Sequence, residues 1–282
     1  MTTRRYRLNH TSVYRYTGPI RASHNEVRMT PLTEEGQTTL ESRLRIRPLT
    51  WSHTYRDYWG THVTALETSG VHEALELEAV STVERYDRAA DREPATWESL
   101  RSDVTRDIYC EYLEARPRTE LPEGVFDSLS ESTAGMEPAD AVDAVVARIR
   151  DHLDYETGFT VATSDASEAW IAGKGVCQDF VHSMLGSLRH LGIPARYVSG
   201  YLLPDADAPV GQAQASESHA WVEWWDGSGW TAVDPTNALP VGLEHIVVAR
   251  GRDYEDVAPF KGVYLGDEDA DLTVTVTITR LS

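Results

Sequence analysis

Three side chains in the second half of the chain have the types needed for acyl transfer at a thiol: Cys177, His219 and Asp234. A thiol attacks an amide as its thiolate, so it needs a base to take its proton and later return it to the departing amine. The base in turn needs an acceptor that fixes its tautomer and supports its charge. Cys177 stands in Gly173-Lys174-Gly175-Val176-Cys177-Gln178-Asp179-Phe180. Behind it Phe180, Val181, Met184, Leu185 and Leu188 recur at three- and four-residue steps, the period of a helix with one apolar face. Gly192 and Pro194 close that helix. The cysteine therefore falls in a first helical turn, where unpaired N–H groups and the helix dipole favour an anion and hence the thiolate. Glycine at 173 and 175 would let a substrate backbone approach the sulfur closely. Taken alone, the same pattern also describes a buried structural cysteine beside a glycine turn, and the downstream residues decide between the two.

His219 and Asp234 lie on two strand-like runs, 218–225 and 228–234, with Asp226-Gly227 between them. Asp-Gly favours a two-residue hairpin turn. That turn makes Trp225 face Ser228 and puts His219 directly opposite Asp234, with Cβ atoms about 5 Å apart. It also sets Trp224 across from Gly229 and turns Ala220, Val222 and Val233 to the other face. A four-residue turn makes His219 and Asp234 diagonal but keeps them on one face, whereas a one-residue slip sends them to opposite faces.

The elements that must position these residues fall into two parts. Residues 1–86 read as β, with alternating segments at 4–16, 39–47, 61–68 and 73–84 and turns at Gly18-Pro19, Glu35-Gly36, Trp59-Gly60 and Ser69-Gly70. Short strands at regular spacing predict a small β-sandwich over 1–90. Near Asp91-Arg92-Glu93-Pro94 the period becomes helical. A first helix carries the stripe Trp97, Leu100, Val104, Ile108 and Tyr109, and places Cys110 in the core or at its boundary. A second helix is predicted over 138–153, and 120–137 reads as a surface loop. After the cysteine helix come a strand over 195–202, a polar loop over 204–217, the hairpin, and a last strand in which Leu272, Val274, Val276 and Ile278 alternate with threonines.

Composition limits the partners. At 282 residues, 41% hydrophobic, the chain can build a sizeable core. With 26 Lys+Arg against 45 Asp+Glu the net charge is −19, which weighs against nucleic acid or an anionic membrane as the main partner. No run approaches the roughly 20 apolar residues that span a bilayer, and the N-terminal residues show no apolar signal core. The two cysteines supply neither a disulfide framework nor a four-ligand metal site. His10, His24, His53, His62 and His72 have no helical metal spacing, and the acidic run Asp267-Glu268-Asp269-Ala270-Asp271 lacks the spacing of a calcium loop. No metal or other cofactor is expected, and a reduced, cytoplasmic location is the default expectation.

The cysteine stretch, then Gly192-Ile193-Pro194-Ala195-Arg196-Tyr197-Val198-Ser199-Gly200-Tyr201, then Ser218-His219-Ala220-Trp221-Val222-Glu223, then Trp230-Thr231-Ala232-Val233-Asp234-Pro235-Thr236-Asn237 resemble the bacterial transglutaminase-like family. The resemblance covers about 140–265, and the β-rich first third is similar to the N-terminal domain that accompanies this core in bacterial members. It implies an α+β fold: a papain-like core over 91–282, with the cysteine helix packed on an antiparallel sheet, preceded by the β-rich domain. It also implies that Cys177 is the nucleophile, His219 the base and Asp234 the orienting acid. For the oxyanion it implies the backbone N–H of Cys177, with Tyr155 preferred to Trp170 as second donor; Gln178 is a further substrate-positioning candidate. The implied activity acts on a peptide or isopeptide amide of a peptide or protein substrate through a thioester, hydrolysis being favoured slightly over transamidation. Nothing resembles the calcium loops of animal transglutaminases. Work alongside partner proteins is a further implication of the resemblance. A non-catalytic binding scaffold is the alternative, and the intact cysteine–histidine–aspartate set argues against it.

Overall fold

The computed structural model describes residues 2–87, 93–237 and 239–282. The unit boundary expected at 90/91, with Asp91 and Arg92, lies outside the described residues. In the first third, β1 (Thr3–Val27) and β4 (His62–Tyr86) run antiparallel, 25 residues each. The turns expected at Gly18-Pro19 and Ser69-Gly70 do not reverse the chain. The pairing shifts register between Arg15 and Ile20 and again between Ile20 and Ala22, and Gly70 takes a φ of 95°. These glycines bend a continuous strand pair instead of ending it, as glycine at a bulge does. Glu35-Gly36 and Trp59-Gly60 do turn, through the Glu34–Gln37 bridge and a Gly60 N–H to Asp57 hydrogen bond. They lead into β2 (Gln37–Arg47) and, after β3 (Trp51–Arg56), into β4; β2 and β3 pair with the two ends of β4.

The helix expected from Pro94 is broken into Trp97–Leu100, Asp103–Ile108 and Cys110–Leu113. Hydroxyls interrupt it: Ser99 donates to the Thr96 carbonyl and Ser102 to the Ser99 carbonyl, and Ser102 caps the next piece. The expected apolar stripe does not stay on one buried side: Leu100 is buried while Val104 and Ile108 are exposed. Cys110 is exposed as well, not a core or boundary residue. The stretch read as a surface loop contains α1 (Val125–Ser132), which starts after Gly124 at φ 82° and buries Leu129. The next helix, α2 (Pro138–His152), matches its expected span, with proline in the first turn and Ala141, Val142, Val145, Val146 and Ile149 inward.

Next come α3 (Ala166–Ala172) and α4 (Cys177–His190), then β5 (Ala195–Leu202), β6 (Ala213–Ser216), β7 (Ser218–Trp225), β8 (Trp230–Asp234), β9 (His245–Gly251), β10 (Phe260–Leu265) and β11 (Ala270–Arg280). One antiparallel sheet has the order Leu239–Pro240, β8, β7, β5, β9. The apolar stripe of α4 packs on it, Phe180, Val181, Met184, Leu185 and Leu188 meeting Ala195, Tyr197, Ala220 and Val222. Each such side chain contributes roughly 1.5–3 kcal/mol on full burial, so the cysteine helix is held firmly at its middle.

The other sheet has the order β2, β4, β1, β11, β6, with β10 also on β1. Strands from the end of the chain thus close against its beginning. Val276 and Ile278 of β11 share one core with Tyr6 and Leu8 of β1 and with Tyr201 and Ile246 of the second sheet. Buried Gln37 also bridges the sheets, donating to the carbonyls of Leu32 and Val247 and accepting the Val247 N–H. The fold is α+β with antiparallel sheets.

Candidate active site

Cys177 is the first residue of α4, preceded by extended Val176. Asp179, two residues on, holds this corner: its Oδ2 accepts the Val176 N–H at 2.7 Å and the Thr160 hydroxyl at 2.5 Å. Burial pushes the Asp179 carboxyl up, against those two hydrogen bonds. Here the role expected of the glycines needs correcting. Gly173 ends α3 in the left-handed region at φ 70°, and a Cβ on Gly175 would stand 2.6 Å from Asp179 Oδ2. Both glycines serve the chain's own geometry. Lys174–Gly175 also pairs with Asp154–Tyr155, which brings Tyr155 to the cysteine corner.

The hairpin turn is longer than Asp-Gly predicts. Trp225 faces Trp230 and Val222 faces Val233, so the loop contains four residues, 226–229. Asp226 explains this: its Oδ1 accepts the N–H groups of Ser228 and Gly229, and its own N–H donates to the Gly229 carbonyl. An aspartate satisfying backbone groups two and three residues on stabilises this wider turn. Trp224 accordingly faces Thr231, not Gly229. His219 and Asp234 are diagonal and not directly opposed, yet they share a face, and His219 Nε2 lies 2.8 Å from Asp234 Oδ2. On the other face Ala220 and Val222 are buried and Val233 is half-buried.

Asp234 is buried and well supplied with donors. Its Oδ1 accepts the N–H groups of Thr236 and Asn237 at 3.0 and 3.2 Å, and its Oδ2 accepts the Asn237 amide at 2.8 Å besides His219. Burial opposes its charge, but the hydrogen bonds from His219 and Asn237, with the His245 ring nearby, hold the carboxyl well below the usual range. Burial likewise works against a charged His219, but hydrogen bonds to Asp234 and Cys177, with their charges, prevail and push it up to about 9. With Nε2 engaged by Asp234, Nδ1 is the nitrogen left for the Cys177 sulfur. A raised His219 favours the imidazolium form, the partner a neighbouring thiolate would require.

His219, but not the fully buried Asp234, lines a 490 Å³ cleft together with Tyr155, Leu202, Pro204, Ser216, Glu217 and Asn237 among others. Tyr155 is half exposed there; burial, then the proximity of Cys177 and Glu217, pushes its phenol up. Trp170 belongs to the core instead, its indole stacked on His152 at 4.0 Å. Gln178 is buried, and its Nε2 has no hydrogen-bond partner among the described residues.

Sequence reasoning missed Asn237, Asp179 and His245. Asn237 had a signal, since an aspartate followed by Pro-Thr-Asn is a turn pattern. His245 had none, because it comes from β9, beyond β5. Its ring meets Trp221 edge to face at 5.1 Å, and its Nε2 is 3.5 Å from Asp234 Oδ2. Gly200 on β5 makes room, since a Cβ there would stand 2.7 Å from the Trp221 ring.

Donor atoms of His219, Asp234 and His245 all lie within 4.8 Å of one another, close enough to consider a metal ion. The Gly242 N–H, however, donates to His245 Nδ1 at 3.3 Å. That assignment leaves the proton on Nε2, and a protonated nitrogen has no lone pair for a metal. Within the trio His219 and Asp234 are hydrogen-bonded, and His245 stands beside them.

Residues 127–235 match the family model of the transglutaminase-like superfamily, and 6–84 that of the bacterial transglutaminase-like N-terminal region. The chain is 41% identical over 278 residues to an uncharacterised protein of Mycobacterium leprae, covering 99% of each. It is 30% identical over 296 residues to one of Mycobacterium tuberculosis, covering 98% of this chain and 93% of that protein. A solved structure of a candidate cysteine protease from Cytophaga hutchinsonii matches with a TM-score of 0.81 over 100% of this chain and 92% of that one, at 20% identity, which is a likeness of fold. Two family regions in order and relatives matched along nearly their whole length lead to one conclusion: the chain belongs to the bacterial transglutaminase-like family.

Proposed function

We propose that this protein is a cysteine-nucleophile enzyme that cleaves peptide or isopeptide amides of a peptide or protein substrate through a thioester on Cys177. The observation that carries the reading is the buried Asp234–His219 pair presented to a cysteine at a helix start. The thiolate adds to the amide carbonyl. The proton on His219 then passes to the nitrogen of the leaving amine as the C–N bond breaks, and the thioester remains. Water attacks that thioester, His219 takes its proton, and the acid leaves as the thiolate re-forms. The backbone N–H of Cys177 and the Tyr155 hydroxyl are our candidates for the oxyanion, because Tyr155 stands on the cleft while Trp170 is stacked in the core. Gln178 is retained as a positioning candidate on its unpartnered buried amide. The two free thiols favour a reducing compartment.

Transamidation shares the thioester and differs only in whether an amine or water takes the acyl group. One observation favours it: a 66-residue stretch is 41% identical to a protein-glutamine gamma-glutamyltransferase of Pseudomonas aeruginosa, although it covers 10% of that protein. The test is a panel of peptide amides in ¹⁸O-labelled water, with and without a primary amine, read by mass spectrometry. Hydrolysis gives labelled acid whether or not the amine is present; a transamidase gives the amine adduct. A panel in which neither product forms, and in which no acyl group is trapped on Cys177, would return the scaffold reading.

A further inference from the structure

His245 has no place in the chemistry above, yet it is 2% exposed and its ring faces the carboxylate of the catalytic pair. Two contacts fix it. The Gly242 N–H on Nδ1 sets the tautomer with the proton on Nε2, and Trp221 meets the ring edge to face. That Nε2 is buried without a hydrogen-bond partner among the described residues, and Asp234 Oδ2 lies 3.5 Å from it. Asp234 does not need His245 for its orientation, since Oδ1 is already anchored by two backbone N–H groups. What His245 adds is an N–H group 3.5 Å from the oxygen that faces the base, outside the hydrogen bonds that His219 and Asn237 make to it.

We propose that His245 is a positioning residue for the catalytic pair: its Nε2–H draws charge from Asp234 Oδ2 and so limits how firmly the His219 proton is held. This rests on the reading of Cys177, His219 and Asp234 as the reacting set. The physical cause is that each donor on a carboxylate oxygen lowers its attraction for a further proton. A base must both accept a proton and give it up, so a carboxylate left with full charge on Oδ2 would hold the imidazolium too well. The other titratable groups around the pair are Cys177 on α4, Tyr155, Tyr197 and Tyr254 near its sulfur, and Glu217 at the cleft. All of them stay in place in the variants below.

Two amide substitutions separate the roles of the two ring nitrogens. In His245→Asn the short side chain can still accept the Gly242 N–H but stops short of Asp234. In His245→Gln the longer amide carries an N–H towards Oδ2. The protein is labelled with ¹³C at histidine Cε1, the His219 signal is identified by its absence from a His219→Gln sample, and its titration midpoint is read by NMR. For wild type the midpoint is expected near 9. In His245→Asn it should rise by about half a unit, the effect of removing one nearby N–H dipole from the partner of a charged group. His245→Gln should return it to within about a quarter of that rise. A midpoint in His245→Asn that stays put or falls overturns the proposal, as does an equal rise in His245→Gln. A wild-type midpoint near the ordinary 6.5 would instead bring down the catalytic pair itself.

Discussion

His219 and Glu223 stand four residues apart on one face of β7, each inside a buried ionic group, yet the two groups are built for opposite ends. Glu223 accepts from Arg196 Nε at 2.7 Å and from Arg250 Nε and Nη2 at 2.8 and 2.9 Å. Arg250 also holds Glu34, and the Arg196 guanidinium lies 3.9 Å from the centre of the Trp230 ring. Burial works against Glu223's charge, but the two arginines push it down to about 2. Glu223 therefore stays a carboxylate at working pH, and the bonds tie β5, β7, β9 and the Glu34 loop together. The His219 group has the same kind of buried carboxylate but a titratable partner, and one ring nitrogen is left over for a sulfur. Saturation makes the first group a clamp. One uncommitted bond on a group that can gain and lose a proton suits the second to the proposed role of reaction centre.

The comparison can be broken from either side. The largest effect should come from Cys177→Ala, which removes the reacting atom: amide turnover falls by roughly 10⁵-fold or more with an unchanged melting temperature. A variant that keeps measurable turnover on the labelled-water panel would place the chemistry elsewhere. Asp234→Ala comes next, with a loss of roughly 10³–10⁴-fold in kcat in a protein that still folds, because His219 loses both orientation and charge support. Full turnover, or a chain that does not fold, would make Asp234 part of a clamp like Glu223.

Glu223→Ala should act the other way round. Leaving two arginines buried without their carboxylate costs about 3–5 kcal/mol of stability. Chemical denaturation should show this, while the His219 midpoint stays where it was, the two groups being roughly 13 Å apart along the strand. A matching shift in that midpoint would mean the two groups are coupled.

A smaller effect concerns pH. His219 is raised from 6.5 to about 9 in the folded protein, so its contribution to stability is complete below about 6.5 and is lost as pH rises through 9. Asp234 is held low, so its contribution is present above its ordinary 3.8 and is lost as pH falls. Melting temperature should therefore decline modestly between neutral pH and about 9.5 in wild type, and Asp234→Asn should flatten that decline; an unflattened curve would assign it to other groups. The smallest expected effect is none at all: a chelator should leave turnover and melting temperature unchanged, because the His245 tautomer offers no lone pair. A clear shift in either would make the trio around Asp234 a metal site.

Burial of Cys110 in a continuous helix would leave Cys177 as the one reactive thiol, but Ser99 and Ser102 break that helix and Cys110 is exposed. Thiol reagents must therefore be read site by site.

The sequence by itself determined the parts governed by short-range periodicity. The apolar spacing behind Cys177 identified the cysteine helix, and α2 kept its expected span. Strand alternation put His219 and Asp234 on one face, an inference that survived a wrong turn length because lengthening the loop from two residues to four preserves parity. Tertiary structure decided what depends on groups far apart in the chain. The extra turn length came from the side chain of Asp226, and the continuity of β1 and β4 through their glycines came from partners along their whole length, features that residue type alone does not convey. Pairing of β1 with β11 joins the two ends of the chain, and no local pattern encodes a partner more than 250 residues away. His245 is the sharpest case. It becomes a neighbour of Asp234 only because β5 lies between β7 and β9 and carries Gly200 where a side chain would block Trp221.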